Sequence, residues 1–148
     1  MNRIRKFLGL SPMDRRLVMR AALVLITIRI AATTLAFGSL RRILARAAQA
    51  PWLLGANAPA GKISWAVAVA SRYTPITCTC LVQALAVQAL MARASQPAHL
   101  RFGVAQGVDG GVEAHAWVEY RERVIIGGPV TPQYVELVSV ERQGLDTV

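Results

Sequence analysis

Thr74-Pro75-Ile76-Thr77-Cys78-Thr79-Cys80-Leu81-Val82-Gln83-Ala84-Leu85-Ala86 is the stretch from which the rest of the chain is best understood. Pro75 stops any helix that precedes it, because the residue before a proline is pushed out of the helical region. Thr77 or Thr79 can cap a new helix. The Leu/Ala-rich run beyond it, with Leu85, Leu90 and Met91, carries no breaker and predicts a helix to about Arg93. With either threonine as cap, Cys80 falls in the first turn. Unpaired backbone N–H groups and the positive end of the helix dipole lie there and favour an anionic sulfur. The thiolate is the reactive form of cysteine.

Working outward, Glu113-Ala114-His115-Ala116-Trp117-Val118-Glu119 predicts a strand with His115, Trp117 and Glu119 on one face. A thiol opening a helix and a histidine on a strand are the parts of a cysteine nucleophile and its base. Taken singly, a cysteine in an apolar helix is more often a small core residue. The first-turn position of Cys80 argues for chemistry. Cys78, two residues earlier, is the rival nucleophile and points elsewhere. Cys78, Cys80, His99 and His115 also offer metal-ligand chemistry, but a Cys-x-Cys pair without a second such pair is poor zinc spacing, so no metal or other cofactor is expected.

Around these blocks the pattern is helices first, then an antiparallel meander, which is α+β. Ser11-Pro12-Met13-Asp14 predicts a capped helix start, continuing to about Phe37. Gly38-Ser39 is expected to break it, with a second piece over 40–50 ended by Pro51. Residues 51–61 are loop-like, and a short apolar helix is expected over 62–71. Strands are expected over 98–104, 112–120 and 124–126, with a weaker one over 134–138 and a polar tail from Ser139. The organisation expected is a basic helical segment, 1–50, leading into a catalytic core, 51–148, within one compact domain.

The chain has 148 residues, enough for a real core, and is 54% hydrophobic with 17% charged residues, which excludes general disorder. Its net charge of +9 is uneven: residues 1–50 hold ten Lys/Arg and one acid, whereas 51–148 hold seven of each sign. That excess suits an acidic partner or an anionic membrane face. Nucleic acid is not expected, because no aromatic residues interleave the basic ones. Residues 17–37 are long enough to span a bilayer. Arg20 and Arg29, on opposite sides of that helix, argue for packing on protein instead, with peripheral membrane contact as the lesser alternative. Two cysteines so close together make no disulfide framework and fit a reducing cytoplasm.

The blocks Cys80-Leu81-x-x-Ala84-Leu85-Ala86, Gly103-Val104 and Ala114-His115-Ala116-Trp117-Val118-Glu119 resemble those of the lasso-peptide maturation protease, the transglutaminase-like B2 protein. The Arg-rich beginning and the later Val124-Ile125-Ile126-Gly127-Gly128 extend the likeness over nearly the whole chain. The resemblance implies a transglutaminase-like, papain-related α+β domain that cuts the leader from a ribosomally made precursor peptide, with Cys80 as nucleophile and His115 as base. It also implies two partners: a separate leader-recognition protein, and a cyclase resembling asparagine synthetase. The family pattern usually completes a triad with an Asp near positions 127–128, where this chain has Gly127-Gly128. Glu119, Asp109, Glu122 or a backbone carbonyl are the candidates to orient the imidazole in its place. For the oxyanion, the Cys80 N–H is the natural donor, with the Gln83 side chain as a second, and Trp117 flanks the site.

Overall fold

A computed structural model of the chain describes residues 2–47, 57–128 and 134–137. The described elements run α1 (Asn2–Leu8), α2 (Pro12–Thr34), α3 (Phe37–Ala47), α4 (Ala60–Tyr73), α5 (Cys80–Arg93), then β1 (His99–Gln106), β2 (Val112–Tyr120), β3 (Arg123–Ile126) and β4 (Val135–Leu137). Trp52, the expected helix stop at Pro51 and the polar tail from Ser139 lie outside the described residues.

The organising element is α5. Val82, Ala84, Leu85, Ala86, Val87, Ala89, Leu90 and Met91 are all buried, so the helix is covered on most of its circumference. Such a helix belongs in the middle of a core rather than on its surface. Its alanines, with Ala66 and Ala70 on α4 and Ala21 on α2, let the helices approach closely. Leu25 and Ile28 of α2, Ile63 and Val67 of α4, and Leu85, Leu90 and Met91 of α5 fill the space between them. Full burial of each such side chain stabilises by about 1.5–3 kcal/mol.

Ser11 caps α2, accepting a hydrogen bond from the Asp14 N–H at 3.1 Å. Lys62 Nζ then donates to Asp14 Oδ1 at 2.9 Å, fastening the start of α2 to the start of α4. The bond from Lys62, helped by a hydrogen bond from the Ser11 hydroxyl to the carboxylate, holds the Asp14 carboxyl below the usual carboxylate range. α2 is one helix long and apolar enough to cross a membrane by length and composition. Its inner face, however, is part of the core through Leu17, Val18, Ala21, Val24, Leu25 and Ile28.

The expected break at Gly38-Ser39 falls earlier. Leu35 is extended (φ −114, ψ 145) and ends α2, while Gly38 and Ser39 lie inside the first turn of α3. Burial of Leu40, 2% exposed, anchors that turn and outweighs the low helix propensity of glycine. α1 is a further helix that sequence patterning left as a basic leader.

The sheet has order β3-β2-β1-β4, all antiparallel. The β1–β2 hairpin turns through Gly107–Gly111, where Gly110 has a positive φ of 78° and Gly107 N donates to Gly111 O at 2.7 Å. Arg121 and Glu122, both at positive φ, turn β2 into β3. The register opposes Leu100 to Val118 and Phe102 to Ala116, and this face packs on the helices. It opposes Arg101 to Trp117 and Gly103 to His115, and these residues lie on the other face.

Candidate active site

Thr79 is the cap of α5: its side chain accepts from the Val82 N–H at 3.4 Å. Cys80 is therefore the first residue of the helix, half-buried at the edge of the helical core, with a free thiol. Its own N–H has no intrahelical acceptor, as for every first-turn N–H. Cys78 is also free, and its Sγ lies 3.5 Å from Thr74 Oγ1. Gln83 does not reach over the thiol. Its Nε2 donates to the Cys78 carbonyl at 3.0 Å, so the amide expected as an oxyanion donor is spent on holding the turn ahead of the helix.

His115 is half-buried on β2, and its Nε2 is hydrogen-bonded to the Gly127 carbonyl. A carbonyl can only accept, so Nε2 carries the proton and Nδ1 of the neutral ring keeps its lone pair. The ring stacks along Trp117, with centroids 6.2 Å apart, and against Tyr134, at 5.2 Å. Trp117 is 3% exposed, so it supports the imidazole from beneath and presents no surface to a substrate. Two glycines make room for Trp117, one at its ring and one at its Cβ. A Cβ on Gly103 would meet the ring at 2.9 Å, and one on Gly127 would meet Trp117 Cβ at 2.5 Å. Gly127 also has a φ of +108°, a conformation that side chains strongly disfavour.

Glu119 is not the partner of His115. One carboxylate oxygen accepts from Trp117 Nε1 at 3.0 Å and the other from Arg101 Nε at 3.3 Å. Arg101 Nη1 also donates to Glu136 Oε1 at 2.7 Å, so one guanidinium joins β2, β1 and β4. Asp109 and Glu122 sit at exposed turn positions. Among the described residues, the group bonded to the imidazole is the main-chain oxygen of Gly127, a backbone carbonyl and not one of the carboxylates expected from the sequence.

Tyr134 was not foreseen. It immediately precedes β4, whose pairing with β1 sets it on the His115 face of the sheet. Desolvation, then the charge and hydrogen bond of Glu113, then negative charge at Cys80, hold its phenol above the ordinary tyrosine range. Tyr134 thus adds an aromatic neighbour to the imidazole on the side of β4. Cys80 and His115 make no hydrogen bond to each other among the described residues. Catalytic hydrogen bonds are often long in substrate-free structures and tighten in the complex. Clefts of about 310, 610 and 420 Å³ lie elsewhere, lined by neither Cys80 nor His115. Nor do Cys78, Cys80, His99 and His115 gather as a metal site: no cluster of three or more His, Cys, Asp or Glu suited to a metal occurs among the described residues.

A thiol at the head of a buried helix, packed on an antiparallel sheet that carries a fixed histidine, is the architecture of thiol-dependent peptidases and acyltransferases. The chain belongs to the transglutaminase-like superfamily, whose family model matches residues 22–139. No curated protein and no solved structure matches the chain significantly.

Proposed function

We propose that this protein is a cytoplasmic cysteine peptidase that removes the leader from a ribosomally made lasso-peptide precursor. The observation that carries the reading is the imidazole of His115, whose Nε2 is bonded to the Gly127 carbonyl, on a strand that packs against α5, the helix with Cys80 in its first turn. Superfamily membership and the Cys80-Leu81 and His115-Ala116-Trp117-Val118-Glu119 blocks support it. In this reading Nδ1 of His115 takes the thiol proton as Cys80 Sγ attacks the scissile carbonyl. The Cys80 N–H and the helix dipole meet the developing oxyanion. His115 returns the proton to the leaving amine, and water then releases the acyl group from sulfur. The Gly127 carbonyl keeps the ring in the required tautomer, the task usually given to a carboxylate. A separate leader-recognition protein presents the precursor, and an asparagine-synthetase-like cyclase uses the freed amine.

The test is to incubate the chain with a precursor and its leader-recognition protein and follow the products by mass spectrometry. Cys80→Ala is expected to abolish leader release and Cys78→Ala to retain most of it; cleavage by Cys80→Ala would overturn the assignment. A hydrolase adds water to the cut peptide, whereas an acyltransferase of the same fold would give a new amide. That Cys80 and His115 make no hydrogen bond to each other among the described residues favours a second reading, a non-catalytic scaffold of the maturation complex. Thiol-probe labelling at Cys80 faster than free cysteine rules against it.

A further inference from the structure

The exposed side of α2 carries an apolar stripe that the peptidase reading does not use. Met19, Leu23 and Ile30 are 57%, 64% and 60% exposed, and their spacing of four and seven residues puts them on one helix face. α1 lies alongside, because Phe7 and Met19 line one cleft. Leu8, 59% exposed, extends the apolar surface there, and Arg5 and Lys6 are exposed beside it. Arg16, one turn before Met19, continues this side of α2 toward its N-terminus and lines a groove of about 610 Å³ with Met13 and Lys62. The one acid of this segment, Asp14, is already paired with Lys62.

The polar side chains of the stripe make no outward demands. Thr27 Oγ1 donates to Leu23 O at 2.8 Å, Thr33 Oγ1 to Ile30 O at 2.6 Å, and Thr34 Oγ1 to Ala31 O at 3.3 Å. Each hydroxyl proton is satisfied by the helix's own backbone, so the face sinks into an apolar layer at low cost. Phe7 and the half-exposed Tyr73 border Met19 in the same cleft, and rings of this kind suit the headgroup level of a bilayer. Aliphatic side chains, self-satisfied hydroxyls and a flank of cations fit the boundary between lipid headgroups and acyl chains.

We propose that the outer face of α2, with α1, is a docking surface for an anionic lipid bilayer. The helix lies in the interface and does not cross it, since its other face is the protein core. The phosphates meet Arg5, Lys6 and Arg16, while Met19, Leu23 and Ile30 enter the acyl boundary. The concentration of the net charge of +9 in residues 1–50 orients the molecule on approach. This inference is independent of the peptidase reading and does not use the thiol.

The test is flotation of the full chain with vesicles of phosphatidylcholine alone or mixed with phosphatidylglycerol. Binding to the anionic vesicles, weakened by salt and much lower on neutral ones, is expected. Leu23→Glu should cut it roughly tenfold or more, the value of one buried leucine, with an unchanged melting curve because the residue is exposed. Arg16→Gln, which removes one surface charge worth about 1 kcal/mol, should cut it several-fold. Absence of binding to anionic vesicles, equal binding to neutral ones, or wild-type binding by both Leu23→Glu and Ile30→Glu would each overturn the proposal. So would loss of a protein partner in Leu23→Glu by a chain with no vesicle affinity.

Discussion

The two faces of β2 hold the molecule together by different means. Toward the helices, Ala116 and Val118 are 2% and 0% exposed and interact by packing alone. Toward the other side, His115, Trp117 and Glu119 are held by named atoms: the Gly127 carbonyl, the Tyr134 ring and the Arg101 guanidinium. Packing is non-directional and spread over many neighbours, so the first face sustains the fold. Hydrogen bonds and close glycine contacts fix orientation, so the second face sets geometry. Adjacent residues of one strand should therefore fail in different ways.

The largest effect is expected on the packed face. Val118→Asp buries a carboxylate with no partner, a loss of several kcal/mol against a total stability of about 5–15 kcal/mol. Loss of the cooperative transition in circular dichroism is the outcome to look for; an intact melt would mean that this face is not core. His115→Ala, one position from the buried Ala116, should keep that melt and lose turnover.

Next comes the glycine pair. Gly127→Ala meets both a left-handed φ, worth about 1–3 kcal/mol, and the Trp117 contact at 2.5 Å. Gly128→Ala meets only its φ of +71°, with nothing within 4 Å of the new Cβ. Denaturant melts should rank Gly127→Ala as clearly the worse of the two, and peptidase activity should fall with it. Equal losses would show that the fit against Trp117 does not matter.

Glu119→Gln sharpens the comparison further. It removes the ion pair with Arg101 and keeps an oxygen for Trp117, so a stability cost of about 1 kcal/mol and a change in turnover of only a few-fold are expected. A true third triad member would cost about 10⁴ in kcat. The smallest effect is Asp14→Asn. The folded carboxyl titrates below its unfolded range, so its pairing with Lys62 stabilises at neutral pH and is lost as pH falls through the folded value. The variant should melt slightly below the parent at neutral pH and together with it in strong acid.

Sequence patterning located the parts that depend on local rules. Pro75 and a threonine cap, Thr77 or Thr79, put Cys80 in the first turn of α5, and alternation gave β2 as Val112–Tyr120. Those signals lie within a few residues of what they specify. The end of α2 was misplaced because the helix stops at Leu35, whereas Gly38 is carried inside α3 by the burial of Leu40. Glu119 was put forward from its shared strand face alone. Its actual partner, Arg101, depends on the β1–β2 register, which no short stretch specifies. Tyr134 reaches His115 only through the pairing of β4 with β1, across some thirty residues of intervening chain (Val104 opposite Val135).

The atom that steadies the histidine belongs to a peptide unit, and every amino acid supplies one. No codon change at position 127 can delete it, and an alanine scan would score only the bend that aims it. The direct probe is chemical: a semisynthetic chain with an ester in place of the amide between Gly127 and Gly128 has a weaker acceptor and an unaltered set of side chains. An inventory drawn up from side chains alone will therefore call this site incomplete.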